Sequence, residues 1–145
     1  WESELPLVMF IGLNPSTADE IEDDPTIRRC MGYARYWGYG GLIMTNAFAL
    51  RSTDPRALYK HYDPVGPEND RWLLDCAVER ANIVVAAWGN HGLLYRRGDS
   101  VLKKIAKITP YLLGKTIYCL GKTKQGQPKH PLYLPKNLKP RELSI

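Results

Sequence analysis

The sequence has few of the residues from which disulfide frameworks and metal centres are built. Its 145 residues include three cysteines and three histidines. These are Cys30, Cys76, Cys119, His61, His91 and His130. The cysteines are odd in number, far apart and set in apolar segments, which excludes a disulfide framework and favours a reducing, cytoplasmic location. No pair of histidines has the spacing of zinc ligands, so we expect no bound metal.

Long hydrophobic runs and a basic-then-apolar leader are also missing, so we expect no membrane span. The chain opens at Trp1 rather than at Met, and we expect residues 1–6 to be a tail from which a preceding piece is missing. The Gly-Lys-Thr triplets at Gly114 and Gly121 lack the first glycine of a phosphate-binding loop, and no Gly-x-Ser-x-Gly elbow is present. We therefore expect no nucleotide triphosphatase and no cofactor.

What is present is the composition of an ordinary globular protein, with 44% hydrophobic and 24% charged residues. The length fits one domain with a substantial core, and we take residues 1–145 as that domain. The net charge of +5 favours anionic partners, and among these nucleic acid or a nucleotide.

Four apolar runs predict buried strands, with amphipathic segments between them. The strands are expected over 7–11, 42–47, 83–88 and 116–120. One helix is expected to start at Pro25 with Asp24 as its cap, a second to run to about Arg80, and a third to be capped by Asp99 or Ser100. This alternation predicts a three-layer α/β/α fold around a central, mostly parallel four-stranded sheet, with an irregular tail over 135–145.

Polar residues follow each predicted strand, where ligands bind in open parallel sheets. The strand ends lead to Asn14-Pro15-Ser16, to Asn46, to Trp88 with His91, and through Gly121 to His130. We expect these residues to gather at one edge of the sheet. The acidic residues 19, 20 and 22–24 suggest either Mg²⁺ coordination or a solvated loop that caps a helix, and we favour the loop.

Each of these side chains has a structural interpretation beside its functional one. The Asn14 segment is either a simple turn or a site where a neutral amide orients a water. Asn46 is either satisfied by backbone partners or presents its amide to the edge of a base. His130 is either a surface residue or a donor to a developing anion. Trp88 and Tyr133 are either packing residues or stacking surfaces for a base.

These strand-end motifs together resemble those of the uracil-DNA glycosylase superfamily, in the same order along residues 7–131. The resemblance implies a uracil-DNA-glycosylase-like fold and hydrolysis of an N-glycosidic bond after a nucleotide is flipped from its stack. It also implies that Asn14 orients the water, that Asn46 reads the base and that His130 stabilises the leaving base. Leu132 stands where this superfamily has a phosphate-contacting serine.

A second resemblance covers nearly the whole chain. The run from Leu13 through Asp24-Pro25-Thr26-Ile27-Arg28-Arg29-Cys30, together with residues 127–135, resembles a bacterial and phage family known only as a domain of unknown function. This resemblance implies no activity.

Three functions are consistent with the sequence. The first is an enzyme that hydrolyses an N-glycosidic bond, with Asn14 and His130 as catalytic residues. Its substrate would be contacted by Asn46, Ser16, Arg51, Trp88 and His91. The second is a non-catalytic module that binds nucleic acid or a nucleotide through a basic rim of Arg51, Lys122, Lys124 and Lys129. The third is a protein-binding domain with a vestigial pocket.

Overall fold

Alternating strands and helices make up most of the chain in the computed structural model, which describes residues 1–17, 24–108 and 116–143. The elements in chain order are β1 (Leu7–Gly12), α1 (Pro25–Tyr36), β2 (Gly41–Asn46), α2 (Asn69–Glu79), β3 (Ile83–Ala86), α3 (Arg97–Ile108), β4 (Ile117–Cys119) and β5 (Arg141–Glu142). Two 3₁₀ segments, Pro55–Tyr59 and Asn90–Arg96, follow β2 and β3. Among the described residues, no helix is both long and apolar enough to span a membrane.

The strands form a five-stranded mixed sheet in the order β2-β1-β3-β4-β5. The first four strands are parallel, and β5 is antiparallel to β4. The four parallel strands lie within one or two residues of the four predicted strands, but the predicted four-stranded sheet is wrong because β5 adds a fifth strand. The tail expected to be irregular returns to the sheet, where Leu143 N–H donates to Ile117 O at 2.8 Å.

Helices cover both faces of this sheet because alternate strand residues point to opposite sides. On one face Val8, Phe10 and Val85 pack with Cys30 and Tyr33 of α1. The opposite face packs against α2 and α3 through a second cluster, formed by Met9, Ile11, Val84, Ala86, Leu73, Cys76, Val101 and Ile105. The α/β class is therefore confirmed, with one helix on one face and two on the other.

Helix α1 starts as predicted, because Asp24 accepts hydrogen bonds from Thr26 N–H and Ile27 N–H while Pro25 takes the first helical position. The start predicted for α3 is wrong. This helix begins at Arg97, so Asp99 and Ser100 lie inside its first turn rather than at its cap. Acidic residues in a first turn interact favourably with the helix dipole, which gives them the same sequence signature as a cap.

A C-terminal strap, residues 132–138, lies along α1. Two α1 side chains and that of its C-cap residue Trp37, spaced four residues apart, donate to carbonyl oxygens of this strap. Arg29 Nη1 bonds Leu134 O at 2.6 Å, Tyr33 Oη bonds Pro135 O at 2.6 Å and Trp37 Nε1 bonds Leu138 O at 2.8 Å. Side chains at this spacing share one face of a helix, so a single row on α1 holds the strap in place.

Candidate functional site

The carboxyl ends of β1 and β3 are the point at which the strand order reverses. From β1 the chain moves to β2 on one side and then returns to β3 on the other. Crevices at such a switch point are the usual ligand sites of open α/β sheets. Backbone hydrogen bonds between the β1 and β2 sides continue beyond the ends of these two strands. Phe48 N–H donates to Leu13 O at 2.8 Å, and Ser52 N–H donates to Pro15 O at 2.9 Å. The loop that carries Asn14 is therefore fixed to the loop after β2.

Asn14 is held by its amide nitrogen. Nδ2 donates to Leu50 O at 2.9 Å and to Ser52 O at 3.1 Å, with a longer contact to Pro15 O. These bonds distinguish the two ends of the amide, because only the nitrogen can donate. Among the described residues none donates to Asn14 Oδ1. The oxygen is thus oriented by bonds that Nδ2 makes and that do not themselves use the oxygen as an acceptor.

Ser16 and Arg51 lie in the same pair of loops. Arg51 Nη1 donates to Ser16 O at 2.9 Å, and Ser16 Oγ donates to Asp24 Oδ2 at 2.8 Å. Asp24 is only 8% exposed, and its other oxygen caps α1. The residue predicted as the cap of α1 therefore also places a carboxylate inside the candidate site.

His130 reaches the site at the end of a hairpin, residues 121–129, that follows β4. Lys129 N–H donates to Gly121 O and Thr123 N–H to Gln127 O, at 2.9 and 2.8 Å. Gly89, just after β3, has a φ of 73° and lies against His130, so that a Cβ built on it would lie 3.2 Å from His130 Cβ. Only a residue without a side chain combines this φ with so close an approach.

The environment of His130 favours a neutral imidazole. Leu132 N–H donates to Nδ1 at 3.3 Å, which places the proton of the neutral ring on Nε2. Burial lowers the pKa of His130, and the nearby His91 lowers it further, while the charge of Asp24 acts in the opposite direction. His130 is therefore set up as an uncharged donor through Nε2.

Asn46 lies at the end of β2, opposite Gly12 in the parallel register. A Cβ built on Gly12 would lie 2.9 Å from Asn46 Oδ1, so this amide lies directly over the end of β1. Its main chain is fixed from the other face of the sheet. Asn69 Nδ2 donates to Asn46 O and Ala47 O at 2.9 and 3.1 Å, and buried Arg97 donates through Nε to Ala47 O at 2.6 Å.

His91 lies in the 3₁₀ segment after β3 and is half-buried. Its Nδ1 is 3.0 Å from Tyr59 Oη, and the two rings meet edge to face. Tyr59 belongs to the 3₁₀ segment after β2, so this contact joins the loops that follow the two strands flanking β1.

The two aromatic residues proposed for stacking have opposite environments. Trp88 is 1% exposed, and its Nε1 donates to Gln127 Oε1 at 2.9 Å. It also packs so closely against Gly92 and Gly98 that a side chain on either would overlap its ring. We therefore assign Trp88 to the core instead of the substrate contacts. Tyr133 is 95% exposed, with a φ of 66° that is unusual for a bulky residue.

The basic rim predicted from the sequence lies on two sides of this edge. Lys122 and Lys124 are exposed in the hairpin, Lys129 is half-buried against Gly121, and Arg51 lies on the β2 side. Asp19, Glu20, Glu22 and Asp23 of the acidic run lie outside the described residues. Within the described ranges, no group of three or more His, Cys, Asp or Glu side chains could hold a metal ion.

A family model described as a protein of unknown function (DUF1643) matches residues 1–132. The chain belongs to the DUF1643 family. The predicted resemblance to a domain of unknown function is thereby confirmed, whereas the resemblance to uracil-DNA glycosylases stays a prediction. No significant match to a curated protein or to a solved structure was found for this DUF1643 chain.

Sequence reasoning missed two site residues of the DUF1643 chain, Asp24 and Gly89. Asp24 carried a clear signal, the Asp-Pro pair at a helix start, but that signal points to a cap and not to His130, which is more than 100 residues away. Gly89 is marked in the sequence only as the residue that follows the strand predicted over 83–88. Its contact with His130 depends on the path of the hairpin, which local sequence does not indicate.

Proposed function

We propose that this DUF1643 protein is an enzyme that acts on a nucleobase or nucleotide by hydrolysing an N-glycosidic bond. The observation that carries the proposal is the state of His130. Its Nδ1 accepts a backbone bond and burial lowers its pKa, so Nε2 offers a neutral N–H donor near the carboxyl ends of the strands. A positioned donor of this kind stabilises negative charge as it develops.

In the proposed reaction, water attacks the anomeric carbon of the sugar while the bond from that carbon to the base nitrogen breaks. The bonding electrons leave with the base, whose carbonyl oxygen becomes negative and accepts a hydrogen bond from His130 Nε2. The water oxygen remains on the sugar as a hydroxyl, and the proton that it loses finally joins the departing base. Because His130 stays neutral, it stabilises the anion without transferring its own proton.

Asn14 and Asn46 take complementary roles in this proposal. Asn14 Oδ1 would accept a hydrogen bond from the attacking water, since Nδ2 is already used by backbone carbonyls. Asn46 would use its amide to pair with the edge of the base, as amide side chains do when they read bases. Ser16, Arg51 and His91 would lie around the sugar and phosphate.

A second candidate is a binding module of the same fold without hydrolysis. It is favoured by the bonds of Asn14 Nδ2 to Leu50 O and Ser52 O, because they give this residue a sufficient structural role. Exposed Lys122 and Lys124 would supply the electrostatic attraction to phosphate.

The decisive experiment incubates the protein with oligonucleotides and free nucleosides that carry uracil or one of a panel of modified bases. Released base and abasic sites are scored for wild type, Asn14→Ala and His130→Ala. Matched controls are Asn82→Ala and His61→Ala. Asn82 accepts from Leu7 N–H at the amino end of β1, the opposite edge of the sheet, and His61 accepts from Asp63 N–H in the loop before α2.

The proposal expects base release that is lost in the two site variants and retained in the controls. Binding without base release would favour the module. Base release that survives both site substitutions would refute the roles given to Asn14 and His130.

A further inference from the structure

An open trench of about 700 Å³ runs along the outer side of α1. One wall comes from the α1 row Pro25, Arg28, Gly32 and Tyr36, and the other from the strap through Leu132, Tyr133 and Lys136. We call it the α1 trench. At one end Pro25 adjoins Asp24, and Leu132 is two residues from His130. The trench therefore starts beside the candidate site.

A glycine, Gly32, lies in the middle of the α1 wall of the trench. A Cβ built on Gly32 would meet no atom within 4 Å, so the middle of the trench is empty space between Arg28 and Tyr36. Glycine inside a helix is unfavourable relative to alanine. No packing contact among the described residues requires a glycine here, and a large side chain at this position would fill the trench.

The length of the α1 trench exceeds that of one nucleotide. From Pro25 to Tyr36 the helix advances eleven residues, which at ~1.5 Å per residue is roughly 16 Å. Stacked nucleotides rise by about 3.4 Å each along one strand, so this distance corresponds to about four or five of them. The trench fits a short stretch of polymer better than a free nucleoside.

The lining of the α1 trench combines positive charge with exposed aromatic rings. Arg28, Arg29 and Lys136 are cations, and no carboxylate is among the described residues that line it. Tyr36 and Tyr133 are 55% and 95% exposed. A basic groove with aromatic side chains on which bases stack is the arrangement that binds single-stranded nucleic acid. Paired bases in a duplex would not offer their faces to these rings.

We propose that the α1 trench binds a single strand of nucleic acid, which it leads to the candidate site at the carboxyl ends of β1 and β3. This inference rests on the proposed function, because it names the polymer in which the reacting nucleotide is presented. Arg28 and Lys136 contact phosphates, and the rings of Tyr36 and Tyr133 stack on bases.

The test measures fluorescence anisotropy with labelled oligo-dT and oligo-rU that lack any reactive base, over a series of salt concentrations. Loss of two phosphate contacts in Arg28→Gln/Lys136→Gln should reduce the slope of log K against log salt by about 1.4, at roughly 0.7 for each contact with a single strand. The control Lys103→Gln/Lys107→Gln removes the same charge from exposed residues of α3, which covers the other face of the sheet. Its slope should stay near that of wild type.

Two further variants test shape and stacking. Gly32→Trp should block the α1 trench, whereas Gly32→Ala should bind as wild type does and unfold at a slightly higher temperature. Tyr133→Ala should weaken binding roughly 5- to 150-fold, the range for losing one stacked base, and Tyr133→Phe should restore it. Thermal unfolding of each variant confirms that it is folded.

Equal binding by wild type, Gly32→Trp and the Arg28/Lys136 variant would overturn the inference. So would a loss of binding in the α3 control as large as that in the Arg28/Lys136 variant. A preference for duplex over both single strands would also overturn it. Comparing oligo-dT with oligo-rU distinguishes DNA from RNA. Trench-dependent binding without base release would refute only the hydrolysis, whereas base release from oligonucleotides that trench variants leave unchanged would refute only the trench.

Discussion

Removing the carboxylate of Asp70 should destabilise the protein more than removing the guanidinium with which it pairs. Arg97 has a side chain only 4% exposed, and its Nη1 lies 2.6 Å from Asp70 Oδ1. Its Nη2 has no hydrogen-bond partner among the described residues. In Asp70→Ala this cation stays buried without an anion, and leaving a buried charge unpaired costs about 3–5 kcal/mol.

Removing the guanidinium instead should cost less, because the Asp70 carboxylate that remains is partly exposed to solvent. In Arg97→Met the Asp70 side chain, which is 35% exposed, keeps Lys104 and water. The main loss is the charged hydrogen bond from Arg97 Nε to Ala47 O, which is worth about 1.5–3 kcal/mol. Ala47 O keeps its bond from Asn69 Nδ2 and is not left unsatisfied. Lys104→Met removes a half-exposed ion pair and should cost at most about 1 kcal/mol. The expected order of destabilisation is therefore Asp70→Ala, then Arg97→Met, then Lys104→Met.

Urea unfolding at pH 7, with midpoint and slope measured for each variant, gives these free energies. The double variant Asp70→Leu/Arg97→Met should be more stable than Asp70→Ala, because no charge is then left buried alone. An Arg97→Met loss equal to or larger than that of Asp70→Ala would refute the argument from desolvation.

A pH series extends this test. Burial alone would raise the pKa of Asp70, but hydrogen bonds from Lys104 and Arg97, together with their charges, hold that pKa below its ordinary value of 3.8. A lowered carboxyl pKa stabilises the folded state above the ordinary value, and this stability is lost as the pH falls through the folded pKa. The difference in free energy of unfolding between wild type and Asp70→Ala should accordingly be largest at neutral pH and shrink in strong acid.

Two further predictions concern His130 and Trp88. Because burial lowers the pKa of His130, the folded state disfavours its charged form, so its contribution to stability is present above the ordinary pKa of 6.5 and falls in acid. His130→Gln should flatten the decline in melting temperature between about pH 7 and pH 5, and an unchanged decline would contradict this. Gly92→Ala would place a Cβ 2.0 Å from Trp88 Cδ1 and should cost about 1–3 kcal/mol in urea unfolding. Gly32→Ala, which meets nothing, is its matched control, and equal stability of the two would exclude overpacking.

The parallel core of the sheet could be predicted from sequence because its strands are continuous apolar runs. Residues 7–11 and 42–47 were expected as strands, and β1 and β2 end within one residue of those limits. The start of α1 could be predicted equally well, since Asp favours the N-cap position and Pro the first position of a helix. In both cases the signal lies in a short stretch of neighbouring residues.

Strand β5, which was not predicted, and the start of α3, which was predicted wrongly, lack such local signals. Strand β5 consists of Arg141 and Glu142, both exposed, so no apolar pattern marks it. Helix α3 starts directly after Tyr95 and Arg96, which have φ values of 55° and 52°. Non-glycine residues rarely adopt this conformation, and sequence reasoning has no reason to place it there.

The candidate site was predictable in its position but not in its internal contacts. Asn14 and Asn46 were expected at one edge because parallel strands end together, and the β1–β2 register places them there. Trp88 also follows a strand, but it is buried by Gln127, a partner 39 positions away. The proximity of Asp24 to His130 likewise depends on the path of the hairpin over 121–129, which brings His130 back to the start of α1, and no local sequence pattern indicates it.

The strap has a consequence for when the candidate site is completed during synthesis of the chain. Its bonds to Arg29, Tyr33 and Trp37 join residues that are 105, 102 and 101 positions apart in the chain. Since a nascent chain emerges amino end first, α1 is available long before its partners have been made. Closing so long a loop is also entropically costly and slow. His130 and the outer wall of the α1 trench therefore take their places among the last steps of folding, and a nascent chain that stops short of the strap has no complete site.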